Sequence, residues 1–301
     1  MKWLKLIWNI LKDAVIYFID KRCVKLSAAL AYYTIFSLPP LLIIIISIGS
    51  FFYTKASIRE DVFSLIAGVV GSDTAGEIQD VLDNLSVSGD SSWATALGIG
   101  MLLFGATGIF GEIQDSINML WELKAKPKKG WISMILNRLI SFAMIVVMGF
   151  ILLVSLTVNT AMEIGLERLN LAAQESGLNF FHFLDQVLVL LVICLLFTLI
   201  FKVLPDAVLK WRWALIGAAL TTALFMFGKY LIGLYLTDTY IVSAYGATGS
   251  IIVMLLWVYY SAIILYFGAV FTLSVVRNTG GEIEPNRFSV RAQRNDDTVA
   301  P

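Results

Sequence analysis

Apolar residues in this chain run together in long blocks instead of alternating with polar ones. Crossing about 30 Å of hydrocarbon takes roughly 20 apolar residues in a helix, because only hydrogen bonds within the segment can satisfy its backbone there. Six stretches meet that requirement: Leu30 to Phe52, Trp93 to Phe110, Leu139 to Val158, Phe183 to Leu204, Trp213 to Leu236 and Ala247 to Val275. Together they predict an all-α polytopic membrane fold with about six transmembrane helices filling residues 27–276. The second stretch is the shortest and the richest in glycine. Ahead of them, residues 1–26 are amphipathic. Lys2, Lys5, Asn9, Lys12 and Asp13 recur at helical spacing, opposite Trp3, Leu4, Ile7, Leu11, Val15 and Phe18. That pattern predicts a helix lying in the headgroup plane. Between the first two spans, residues 53–92 are acidic with apolar positions at helical spacing, which predicts short helices outside the membrane. From Arg277 onward the chain turns polar around Gly280, Gly281 and Pro285, and residues 277–301 are expected to be a disordered tail.

Charge then orients the spans. Lys and Arg collect on alternate sides: 18 fall in the N-terminal segment, the second and fourth connections and the tail, three (Lys55, Arg59 and Arg168) on the opposite side, and Lys229 inside a span. The positive-inside rule predicts both termini in the cytoplasm. With 58% hydrophobic residues, 15% charged and no net charge, a water-soluble fold and a basic nucleic-acid binder are both excluded. Cys23 and Cys194 are the only cysteines, and suggest neither a disulfide framework nor a thiolate site. The first span carries no small-residue cleavage site and reads as a true span, not a removable signal.

A few polar or helix-breaking residues inside this apolar frame are candidates for chemistry. Pro39 and Pro40 remove two amide donors near the middle of the first span, so a kink or break is expected there, either packed against neighbours or lining a cavity. Lys229 either snorkels to the interface, pairs with Glu163 or Asp185, or touches a substrate. Glu112, Asp115 and Asn118 follow the second span at spacings of three and share a helix face, as a water-facing extension or as a polar vestibule. Small residues at Ala94, Gly98, Gly105, Gly108, Gly111, Gly217 and Ala218 are read as helix-packing positions. Gly-Ala-Thr-Gly occurs at both 105–108 and 246–249; the copies sit at opposite depths of equally oriented spans, so they are taken as coincidence. His182 is the only histidine, and no His-Glu-x-x-His, Walker-type loop or Gly-x-Ser-x-Gly elbow is present, so no metal, no cofactor and no enzymatic activity are expected.

Ser27-Ala-Ala-Leu-Ala-Tyr-Tyr-Thr-Ile-Phe-Ser-Leu-Pro-Pro-Leu-Leu, the stretch Gln114 to Trp121, Leu204-Pro205-Asp206 with Trp211-Arg212 and Gly217, and Tyr245-Gly-Ala-Thr-Gly with Trp257, Tyr259, Ser261 and Gly268-Ala269 resemble the BrkB/YihY family over residues 27–277. The resemblance implies a six-helix bacterial inner-membrane protein, in a family some of whose members carry an older ribonuclease label. That label does not suit this chain, which supplies neither two metals nor a basic RNA groove. Many members have Glu after Gly-Ala in the last span, whereas Val270 stands here, with Thr272 nearby; a role for that carboxylate does not carry over.

Two functions follow as expectations. The first is a transporter or exporter of a small solute or lipid-like molecule without its own ATPase, using the Pro39-Pro40 break, Lys229 and the polar mouths. The second is a non-transporting envelope scaffold or lipid-binding protein, held by its basic amphipathic helix. A membrane-embedded hydrolase is a distant third. Membrane lipids are the expected partners, nucleic acid is not, and oligomeric state stays open.

Overall fold

The computed structural model describes residues 2–49, 60, 63, 64, 67, 76, 79, 108–125, 176–237, 249–287 and 289–291. The chain is mostly helical, as the apolar blocks predict. Its elements are α1 (Lys2–Asp20), α2 (Cys23–Gly49), α3 (described over 108–120), β1 (Leu123–Ala125), α4 (Ser176–Val203), β2 (Ala207–Val208), α5 (Trp211–Thr237), α6 (Gly249–Asn278), β3 (Glu284–Pro285) and β4 (Ser289–Arg291). Among the described residues, Gln186–Val203, Trp211–Leu231 and Met254–Asn278 are long and apolar enough to cross a membrane, and Cys23–Ser37 is a shorter apolar helix. These match the fourth, fifth, sixth and first predicted spans. The third span, and most of the second, lie outside the described residues. So does most of the predicted outer loop, where positions 60, 63, 64, 67, 76 and 79 are helical.

Helix α6 stands at the centre of the described bundle: α1, α2 and α5 all pack on it, and α4 packs on α5. The α5–α6 contact is a reciprocal interlock. Thr272 of α6 sits against Gly217 of α5, and Thr221 of α5 sits against Gly268 of α6. Each hydroxyl fills the space a side chain on the facing glycine would take while it bonds within its own helix, Thr272 Oγ1 donating to Gly268 O and Thr221 Oγ1 to Gly217 O, both at 2.7 Å. Glycine lets the backbones approach, and the internal bonds satisfy hydroxyls that are fully buried. About three turns beyond Gly217, Gly228 leaves room for the Tyr260 ring. Phe225 then bridges α4 and α6 through T-shaped ring contacts, with Phe197 of α4 at 5.9 Å and Trp257 of α6 at 5.8 Å.

Two expectations about this frame are corrected. Helix α2 runs through Pro39 and Pro40 without interruption, so there is no break at that point; in an apolar surrounding, continuing the helix satisfies every other backbone group of the segment. The tail is not disordered over 277–291. Arg277 and Asn278 complete α6, β3 pairs antiparallel with β2, and β4 pairs antiparallel with β1. A polar composition lacks the apolar area to fold alone, but this segment borrows strand partners from two connections of the bundle. Residues 292–301 lie outside the described residues.

Candidate functional site

Polar groups concentrate at the end of the bundle where α1, the end of α3, the α4–α5 connection and the C-terminal segment meet. Its centre is Asp206, only 5% exposed, in the Leu204-Pro205-Asp206 turn that stops α4. Asn118 holds it from α3: Asn118 Nδ2 donates to Asp206 Oδ2 at 2.9 Å, and Asp206 N donates to Asn118 Oδ1 at 2.8 Å. The tail holds it from the other side. Asn286 Nδ2 donates to Asp206 Oδ1 at 3.2 Å, Asn286 N to Asp206 O at 3.1 Å, and Ser289 Oγ to Asp206 O at 2.6 Å. One buried carboxylate thus ties together three segments 80 or more positions apart in sequence. Its charge is met by amide donors, the alternative to a cation that burial of a carboxylate requires. Lys202 adds a bond to Leu209 O within the same turn.

A second knot closes beside it. Both α1 and α3 end in a non-glycine residue with left-handed backbone, Arg22 at φ 51° and Glu122 at φ 59°, a conformation that ends helices and is otherwise rare. The two corners face each other. Glu122 accepts from Tyr17 Oη at 3.0 Å and pairs with Lys21 at 3.4 Å and Arg277 at 3.3 Å. Arg277 also lies 5.0 Å over the Tyr17 ring. Partial burial works against the Glu122 carboxylate, but the Tyr17 hydrogen bond and the charges of Arg277 and Lys21 outweigh it and hold its pKa below the usual carboxylate value. Burial foremost, then the Glu122 charge, push the Tyr17 phenol up. Behind Glu122, the Trp121 indole donates to Ala269 O at 3.0 Å in the buried interior. A cavity of about 420 Å³ lies here, lined by Trp121, Glu122, Arg277, Glu282 and Arg291 among others, and one of about 290 Å³ opens between α1 and α6 beside Asp13, Asp20 and Arg277.

The expected site residues separate. Glu112, Asp115 and Asn118 do share α3: Asn118 enters the Asp206 network, Asp115 is exposed and near enough to feel the Asp206 charge, and half-buried Glu112 accepts from Ser116 Oγ at 3.4 Å. Lys229 is exposed on α5, near the end of the bundle away from this network. Pro39 and Pro40 belong to α2 and Asp185 to α4, but their side chains lie outside the described residues, as does Glu163 entirely. Among the described residues, no three His, Cys, Asp or Glu side chains gather as a metal site. The sequence reading did not single out Asp206, Glu122, Tyr17, Asn286 or Ser289 as site residues. A proline-stopped helix followed by Asp, and isolated Asn and Ser in a polar tail, were the available signals.

Three comparisons bear on what this end of the molecule belongs to. The profile described as virulence factor BrkB matches residues 15–292, a range that takes in the whole network from Tyr17 to Arg291. The chain is 27% identical over 261 residues to a UPF0761 membrane protein of Saccharophagus degradans, covering 84% of this chain and 56% of that protein. It is 29% identical over 283 residues to a UPF0761 membrane protein of Alteromonas mediterranea, covering 91% and 90%. The chain therefore spans little more than half of the first relative and most of the second. No solved structure matches it.

Proposed function

The chain belongs to the virulence factor BrkB family, and on that premise we propose that this membrane protein is a transporter or exporter of a small solute or lipid-like molecule, not an enzyme, whose mouth is closed by the Asp206 network. The observation that carries the reading is the construction of that network. It joins α3, the α4–α5 connection and the tail through side-chain hydrogen bonds and two-residue or three-residue strand pairs. Its links are hydrogen bonds and short strand pairs between segments that belong to different helices, so they can part while each helix stays whole. The family and the apolar helices make it a membrane protein. A bacterial inner-membrane location, with both termini cytoplasmic, is supported by the basic excess on one side and by the meeting of α1 with the C-terminal segment at one end, where Asn278 Nδ2 donates to Asp13 at 3.0 Å.

The test is flux through purified full-length protein in liposomes, comparing wild type with Asp206→Asn and Asn118→Ala. Loosening the network raises leak or turnover of a transported solute or lipid. Absence of flux in all three proteins, with lipid copurifying stably, overturns transport in favour of the second reading, an envelope scaffold or lipid-binding protein. That reading has its own support in α1. Ile10, Ala14, Tyr17 and Phe18 face the protein, Phe18 meeting Phe267 at 5.7 Å. A separate stripe of Trp8, Val15 and Ile19 stays exposed beside Lys12, the arrangement that suits an anionic leaflet.

A further inference from the structure

Buried polar side chains find partners in the great majority of cases, so one that lacks a partner calls for an explanation, a bound water among them. Tyr266, at the middle of α6, is fully buried, and its hydroxyl has no hydrogen-bond partner among the described residues. The groups near enough to act on its phenol are Ser116 and Glu112 of α3 and Cys23 of α2, none of them within hydrogen-bond geometry. Ser116 itself is buried and donates to Glu112 Oε1 at 3.4 Å. The other ionisable group beside Glu112 is Asp115 on its own helix, and among the described residues no Lys or Arg pairs with it. A half-buried carboxylate without a cation, beside a buried hydroxyl without an acceptor, has room in its chemistry for one proton and one water.

We propose that Glu112, Ser116 and Tyr266 form a proton-binding site between α2, α3 and α6, in which a water bridges the Tyr266 hydroxyl to the Glu112 carboxylate. Hydronium arriving from the Asp115 side gives its proton to a Glu112 oxygen, leaving a carboxylic acid and a water. The Tyr266 O–H donates to the bridging water, the water donates to the carboxylate, and Ser116 Oγ supplies a further bond. All three bonds favour the ionised form until the proton is taken. The site deepens the transport reading and rests on it for its role, by naming the coupling ion; its existence does not depend on that reading.

The experiment is a pH titration of the full-length protein in lipid nanodiscs, followed by infrared difference spectroscopy in the carboxylic acid region. Wild type shows a titrating acid band that Glu112→Gln removes. Tyr266→Phe and Ser116→Ala, which remove donors without adding charge, raise its midpoint by about one pH unit, a tenfold change in proton affinity. Should Glu112→Gln not fold, the two conservative variants carry the test alone. A spectrum unchanged by Glu112→Gln, or midpoints unmoved or lowered in both conservative variants, overturns the site. A titrating Glu112 in a protein that moves nothing across liposomes leaves the site standing and overturns transport. Flux with the same pH dependence in Glu112→Gln as in wild type overturns the coupling role.

Discussion

Replacing Gly268 by Ala tests the interlock on which the α5–α6 pair rests. A methyl group there overlaps Thr221 Oγ1 and lies 3.1 Å from Thr221 Cβ and Phe201 Cζ. Thr221 cannot swing aside freely, because its hydroxyl donates to Gly217 O at 2.7 Å and the residue is fully buried. Ala gains about 1 kcal/mol of helix propensity over Gly. Overpacking of this kind costs about 1–3 kcal/mol, and turning Thr221 away forfeits a bond worth about 1 kcal/mol. The overlap wins, for a net loss of about 1–3 kcal/mol. Combining Gly268→Ala with Thr221→Ala removes the overlapping oxygen and leaves only the 3.1 Å contacts, which need shifts of a few tenths of an ångström. The pair should then recover about 1–2 kcal/mol relative to the sum of the single changes. Gly111→Ala is the control, since a methyl there meets nothing within 4 Å, and it should be neutral or gain up to about 1 kcal/mol. Unfolding of the purified protein in mixed micelles, followed by tryptophan fluorescence, measures all four. If the double variant is no more stable than the two losses added together, or Gly268→Ala matches wild type, the interlock does not hold the helices in the way described.

Asp206→Ala strands the Asn118 and Asn286 amides and should cost about 2–4 kcal/mol, with proteolysis in the tail as the local readout; unchanged cleavage rates there would contradict capture of the tail by Asp206. Glu122 has a lowered folded pKa, so its stabilising contribution is present above the ordinary carboxylate value and is lost as pH falls through the lowered one. The stability difference between wild type and Glu122→Gln should therefore shrink on acidification in chemical-denaturation curves, and a difference that grows instead refutes the ion-pair account. Trp121→Phe removes the buried donor to Ala269 O and should lower stability by about 1–3 kcal/mol, read as an earlier unfolding midpoint. Lys229→Met, at an exposed position, should leave stability within about 0.5 kcal/mol; unchanged stability and unchanged flux together would set aside both the ion-pair and the substrate-contact readings of Lys229.

Hydropathy alone placed much of this molecule. The runs ending in Leu204 and Val275, and the block opening at Trp213, coincide with α4, α6 and α5 to within a turn or two, because crossing hydrocarbon is a requirement each segment meets by itself. The amphipathic period of residues 1–20 likewise foretold α1, and Glu112, Asp115 and Asn118 could be set on one helix by counting. The polar tail misled for the same reason. Read alone it lacks a core; it acquires order only from strand partners at 123–125 and 207–208, which no local pattern announces.

What the sequence determined by itself was the solvent of the helices and their approximate ends, properties that belong to one segment at a time. The tertiary structure decided which side chains meet: Asp206 with Asn118 and Asn286, Glu122 with Tyr17, Lys21 and Arg277, Thr272 with Gly217. These pairs join positions from about 50 to 155 residues apart, and their strength depends on burial and angles that exist only once the helices have packed. A hydrogen bond is a relation between two places in space, and periodicity along one stretch of chain carries no record of the other.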